Sequence, residues 1–265
     1  MFWSDGWNNQ CFQSSFDIYN NLYGILFSNA SREQIYGEDS TTYMSSRQAI
    51  KRISSYLPET KLVVLLRDPV ERIYSHYWHW VRSYRAIYSL EDTLRFQHGN
   101  LIQRSLYENH LRCIYTYFPQ NQVYVIIFEE FILNKEKTVS NLCKFLNINT
   151  DQTYFAFDYP HSNRGRYPKY PAIALWRNRI FRNLYGRKYH GKMPQTKEPP
   201  GLHIHQKFFI KLLNSINPLQ NKMPKSTNEE TNAFLQGLLY SYNMRLPDLL
   251  KKNISRYWPT FNRSA

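Results

Sequence analysis

Glycine is scarce in this 265-residue chain, and none of its nine glycines falls into GxxxxGK(S/T) or GxGxxG. A P-loop NTPase or a dinucleotide-binding domain therefore finds no support, because both need glycines where backbone must approach phosphate. Cysteine is scarcer still. Cys11, Cys113 and Cys143 are odd in number and widely spaced, which excludes a disulfide framework and a cysteine-rich zinc pattern. HExxH is missing, and His203 with His205 form a lone HxH without an evident third ligand, so no metal is expected. No stretch approaches the roughly 18 apolar residues of a membrane span. The N-terminus, Met1-Phe2-Trp3-Ser4-Asp5-Gly6-Trp7, lacks the basic start and apolar core of a secretory signal. A reducing, cytoplasmic setting is the expectation.

Acid is nearly absent from one segment. Between His161 and Lys225 stand 14 basic residues and the single acid Glu198, whereas the remaining 200 residues carry 20 basic and 19 acidic groups. Nearly all of the net charge of +14 thus sits in one basic, loop-rich stretch at 161–225. Such a field attracts polyanions, and a merely solvated basic face is the plainer alternative. Apolar residues at 42% and aromatics at 17% exclude a disordered chain. The length suits one domain over 1–265.

Strand and helix patterns alternate from 45 to 147. Ile50, Ile53 and Leu57 are spaced for a helix that Pro58 closes. The run Leu62-Val63-Val64-Leu65-Leu66 reads as a parallel strand covered on both faces. Asp68 and Pro69 supply an N-cap and a first helical position, with a helix to about Arg82. A helical stretch over about 100–118 leads to a second strand, Val123–Phe128, and a helix over 134–146 follows. Only short helices are expected between 150 and 226. A last helix, Asn228–Tyr242, is expected to turn Phe234, Leu238 and Leu239 inward. The alternation predicts an α/β fold, a parallel sheet flanked by helices.

The informative segment is Leu65-Leu66-Arg67-Asp68-Pro69-Val70-Glu71-Arg72-Ile73-Tyr74-Ser75-His76-Tyr77. Arg67 stands at the carboxyl end of a strand, where ligands bind in open α/β sheets. Ser75 lies two turns into the next helix. A guanidinium and a hydroxyl so placed can hold one phosphate between them. Spacing alone leaves open that Arg67 pairs with a nearby acid and that Ser75 is incidental.

The run LLRDPVERIYSHY resembles the 3′-phosphate-binding motif of sulfotransferases that use 3′-phosphoadenosine 5′-phosphosulfate (PAPS), above all the heparan sulfate N- and O-sulfotransferase branch and its bacterial relatives. The resemblance implies that Arg67 and Ser75 bind the cofactor's 3′-phosphate. Gly37–Tyr43 is similar to the family's acidic turn before the helix that leads into this strand, and Arg104-Ser105-Leu106-Tyr107, Phe128–Phe131 and Lys144-Phe145-Leu146 are similar to its later parts in the same order. Asn163-Arg164-Gly165-Arg166-Tyr167-Pro168 resembles the loop that closes over the nucleotide, which makes Arg164, Gly165, Arg166, Tyr167 and Pro168 cofactor-binding candidates. Gly165 would let backbone approach a phosphate that the two arginines neutralise.

The resemblance also implies a first strand with a Lys-x-Gly-Thr-Thr/Ser loop around the 5′-phosphosulfate and a glutamate base. Neither is found in this sequence, whose start looks like the tail of the segment that carries the glutamate. An N-terminally incomplete domain is therefore expected, with its activity in doubt and no catalytic residue assigned. Glu38 is left as a stand-in base beside its plainer reading as a structural acid. The implied function is sulfuryl transfer from PAPS, without a metal, to a hydroxyl or amine of a glycan or other small acceptor. The rival is a non-catalytic polyanion- or nucleic-acid-binding protein that uses 161–225 with Tyr167, Tyr170, Trp176, Phe181, Tyr185 and Tyr189 as stacking platforms. No nucleic-acid-binding motif accompanies that segment, so nucleic acid ranks below the glycan as a partner.

Overall fold

A computed structural model of the chain describes residues 35–96, 101–148, 165–185, 204–222 and 228–262. Their contacts fall into two compact units. The first takes Met1–Leu62, His110–Val123 and Tyr189–Thr196; the second takes Val63–Asn109, Tyr124–Lys188 and Lys197–Ala265.

In the first unit, helix α1 (Arg47–Tyr56) begins at Ser46, whose hydroxyl accepts from the Ala49 N–H. It ends before Pro58 as its spacing predicts, with Ala49, Ile50 and Ile53 buried. Leu111, Ile114, Phe118 and Val123 are also buried in this unit. The Gln122 side-chain amide donates to the Pro58 carbonyl at 3.0 Å.

The second unit is built on strand β1 (Leu62–Leu66) and helix α2 (Pro69–Arg82). Helix α3 (Leu90–Phe96) and a short 3₁₀ turn (Gln103–Ser105) precede α4 (Tyr107–Tyr117), which runs on into the first unit. Strand β2 (Val123–Ile127) pairs with β1 in a parallel two-stranded sheet and leads into α5 (Phe128–Leu133) and α6 (Lys135–Leu146). The strand β3 (Tyr167–Pro168), helices α7 (Pro171–Tyr185) and α8 (Ile204–Ile216), and strand β4 (Leu219–Gln220) follow. Helices α9 (Glu229–Asn243) and α10 (Leu246–Leu250) come last. The α/β class and a parallel pair of strands flanked by helices agree with the sequence reading.

Helix α2 is the centre of this unit. Val70, Ile73, Tyr77 and Val81 recur at helical spacing and are buried against Ala174 of α7 and Leu235 and Leu239 of α9. Three expectations are corrected. Helices α7 and α8 run 15 and 13 residues where only short ones were foreseen, because buried Ala174, Phe181, Ile210 and Leu213 give each an apolar stripe amid the basic residues. On α9 the inward residues are Leu235 and, as expected, Leu239, while Phe234 is 59% exposed. Strand β1 is covered on one face only: Val64 and Leu66 are buried, but Val63 and Leu65 remain 44% and 56% exposed.

Candidate functional site

The chain is fixed where β1 ends. The Tyr107 hydroxyl donates to the Arg67 carbonyl at 2.9 Å, and the Asp68 N–H donates to Glu129 at 3.0 Å. The second Glu129 oxygen accepts from the Trp258 indole at 2.8 Å. Asp68 is buried and caps α2, accepting from the Val70 and Glu71 N–H groups at 2.9 and 3.1 Å. Its other oxygen accepts from the N–H and the hydroxyl of Thr260 at 3.3 and 2.9 Å. A buried carboxylate with four donors is well satisfied. The chain at Arg67 and Asp68 is thus held from both sides, by residues 40 to 192 positions away.

The Arg67 side chain projects from this mount. Its guanidinium lies 3.1 Å from the Glu71 carboxylate and 5.6 Å from the centre of the Phe128 ring. Glu71 is therefore the nearby acid that spacing left open. Glu71 and Ser75 lie one turn apart on α2, and Arg67, which precedes the helix, is joined to that face through its pair with Glu71. Ser75 is exposed, and its hydroxyl has no hydrogen-bond partner among the described residues. A charged fork and a free hydroxyl on one face, at a strand mouth and in reach of solvent, are suited to an anion.

The late loop reaches the same helix. Arg164 lies outside the described residues. Tyr167 and Pro168 form β3, which pairs antiparallel with β4 (Tyr167 opposite Gln220, Pro168 opposite Leu219). Asn217 clamps the exit of the loop: its side chain accepts from the Tyr170 N–H at 2.7 Å and donates to the Tyr170 carbonyl at 2.9 Å. The Tyr167 ring packs edge-on against Trp78, 5.8 Å between centres. Trp78 is three residues past Ser75 on α2, so the loop docks one turn from that hydroxyl. A Cβ at Gly165 would collide with the Tyr167 hydroxyl, so glycine permits this close approach. Arg166 is exposed.

Glu38 is exposed and accepts from the Tyr43 hydroxyl, within the first unit. Of the proposed stacking aromatics, Phe181 is buried and Tyr167 packs on Trp78, which leaves Tyr170 and Trp176 exposed. Tyr185 and Tyr189 have no described side chains. Among the described residues no cluster of potential ligands for a metal ion occurs, and no helix is long and apolar enough to cross a membrane. Sequence reasoning missed Asn217, Trp258 and Thr260, and gave no role to Tyr107 and Glu129 although both lie in stretches that resemble the family. Each acts on a partner distant along the chain.

Comparison with known proteins identifies the family. The family model described as "Sulfotransferase family" matches residues 8–152, more than half of the chain and inclusive of Arg67 and Ser75. The chain belongs to the sulfotransferase family. It is 27% identical over 154 residues to a human bifunctional heparan sulfate N-deacetylase/N-sulfotransferase 2, covering 53% of this chain and 17% of the relative. It is 29% identical over 144 residues to a mouse heparan sulfate glucosamine 3-O-sulfotransferase 3B1, covering 50% and 37%. The chain thus spans well under half the length of these relatives. In fold it is similar to a solved sulfotransferase from Alicyclobacillus acidocaldarius, with a TM-score of 0.59 and 19% identity over 92% of this chain and 77% of that one.

Proposed function

We propose that the chain takes PAPS as donor and transfers its sulfuryl group to a hydroxyl or amine of a glycan, with Arg67 and Ser75 gripping the 3′-phosphate. The single observation that carries this is the Arg67 guanidinium at the mouth of β1, paired with Glu71 one turn before the exposed Ser75 hydroxyl on α2. The donor set fits a phosphate: paired N–H groups from Arg67, an O–H from Ser75, and the Gly165–Arg166 backbone and cation on a loop docked at Trp78. No metal takes part in this reading. When bound, PAPS supplies an activated sulfuryl group at its 5′ end. The chain's own part is to orient the nucleotide by its 3′ end, which converts a bimolecular encounter into a positioned one. Arg67 serves this well because Tyr107, Glu129 and Asp68 immobilise its backbone. A glycan acceptor is favoured because the named relatives are heparan sulfate enzymes. A cytoplasmic setting and a single domain remain part of the same proposal.

Calorimetry tests it. Adenosine 3′,5′-bisphosphate should bind more tightly than AMP, and Arg67→Ala should erase that preference, as the loss of one charged contact typically costs about 2–5 kcal/mol. Ser75→Ala should reduce the preference by a smaller factor. Equal affinity of the unaltered chain for the two nucleotides would sink the assignment.

A further inference from the structure

The outer side of the β3–α7–α8–β4 piece is apolar. On α8, Phe208, Phe209, Leu212 and Ile216 are exposed, Phe208 by 70%. At about 100° of turn per residue, these four fall within an arc of about 100°. Ile210 and Leu213 lie on the other side, buried with Phe181 of α7. On α7, Trp176 and Ile180 are exposed one turn apart, while Ala174 is buried and Asn178 donates to the Val81 carbonyl of α2 at 2.8 Å. The two helices are antiparallel. The Phe181 and Phe209 rings meet at one end, 6.1 Å between centres, and Asn217 binds Tyr170 at the other. In such a pair these angles turn both exposed stripes to the same side, away from α2.

Bases border this face. Arg179 and Lys211 are exposed, and each stands three residues after an exposed ring, Trp176 or Phe208, about 60° round the helix from it. Lys169 and Lys222 flank β3 and β4 and are exposed as well. No acid occurs among the described residues between 165 and 222. A contiguous apolar patch of this kind on a folded surface marks a place of interaction. A second copy of the chain seated on it would set base against base, with no acid to answer either. An anionic lipid surface answers both features at once, acyl chains for the stripe and phosphates for the rim. Phe, Leu and Trp beside Lys and Arg are the composition of helices that lie in a membrane interface. At about 20 Å, α8 is too short to cross the roughly 30 Å hydrocarbon core, so it lies in the plane.

We propose that the outer face of α7 and α8 seats the protein on an anionic bilayer. Phe208, Leu212, Ile216 and Trp176 enter the boundary between headgroups and acyl chains, while Arg179 and Lys211 meet lipid phosphates with their apolar stems laid along the stripe. This surface stands apart from the Arg67–Ser75 site and does not depend on the donor assigned to it. Neither feature suffices alone: the stripe is small for an anchor, and the bases by themselves give only loose, salt-sensitive adsorption.

Vesicle co-sedimentation of the full chain tests it, with vesicles of phosphatidylcholine alone or with phosphatidylglycerol added to about one third. The chain should sediment with the anionic vesicles and stay in solution with the neutral ones. Lys211→Ala should lower the partition coefficient about fivefold. Phe208→Ser combined with Leu212→Ser should lower it tenfold or more while keeping the charge. The altered side chains are exposed, so melting temperatures should hold. Indole emission should shift to the blue on the anionic vesicles, and Trp176→Phe should remove most of that shift. The proposal is overturned if the double serine variant sediments as well as the unaltered chain, which would reduce the binding to adsorption of a basic protein. It is equally overturned if Trp176→Phe keeps the whole shift. A dimer in solution that Phe208→Ser dissociates, without vesicle binding, would overturn it too and give the face to a second copy.

Discussion

Glu71 holds the Arg67 guanidinium at 3.1 Å in a pair whose side chains are 36% and 47% exposed. Pairs this exposed contribute only about 0.2–1 kcal/mol. A dianionic phosphate competes easily for the same fork, yet the carboxylate stays beside it and repels it. Glu71→Gln should therefore tighten adenosine 3′,5′-bisphosphate a few-fold while shifting the melting temperature little, as read by calorimetry and thermal denaturation. Weaker binding in that variant would show instead that Glu71 orients Arg67 for its ligand. Asp68 is the opposite kind of acid, buried and supplied with four donors. Its N-cap role was visible from Asp68-Pro69, but its bond to Thr260 was not, because 192 residues separate the two.

At the level of elements, α2 serves three neighbourhoods with one helix. Its buried face carries the core, its Glu71–Ser75 row faces solvent, and its Arg72–His76 flank faces the 3₁₀ turn. That flank makes stability depend on pH. Burial, then the charges of Arg72, Arg104, Arg85 and His79, push His76 down to about 3 from its ordinary 6.5, so the unfolded chain binds the extra proton. Stability is therefore complete above about pH 6.5 and falls as the pH drops toward 3, by at most about 1.4 kcal/mol per pH unit. Denaturant unfolding at about pH 7.5 and 5.5 should show this loss, and His76→Gln should flatten it. Asn217 belongs to the same scale, since it ties the β3–α7 junction to the end of α8 through two hydrogen bonds to Tyr170. Asn217→Ala should destabilise the chain by about 1–3 kcal/mol and weaken the bisphosphate nucleotide. Unchanged nucleotide affinity would remove the Gly165–Pro168 loop from the site.

For the molecule as a whole, the charge of 161–225 is not all free surface. Arg177 is buried, bonding to Asn178 and Asn214 with its guanidinium 4.1 Å from the centre of the Tyr84 ring. With Phe181 buried and Tyr167 docked on Trp78, a stacking groove for single-stranded nucleic acid loses two of its proposed platforms. Weak nucleic-acid binding is expected, falling by roughly 0.7 log units per neutralised phosphate for each decade of salt, beside firmer retention on acidic glycans. Filter binding across a salt series checks this, and nanomolar, sequence-selective affinity would reverse the order of the two readings.

Much of the site was legible because its signals are local. Arg67, Asp68 and Ser75 are tied by a strand end, a cap and helical periodicity, and each of these acts within about ten residues. The α/β alternation was legible for the same reason, since an apolar run and a 3.6-residue repeat need no knowledge of distant chain. Tertiary structure alone decided which face of each element met a neighbour. Both Val63 and Leu65 read as core but lie exposed, and Leu235 rather than Phe234 turns inward. It also decided the mounts of the site, namely Tyr107, Glu129, Asn217, Trp258 and Thr260. A hydrogen bond between residues far apart in sequence depends on where folding brings the backbone, and composition and spacing carry no record of that.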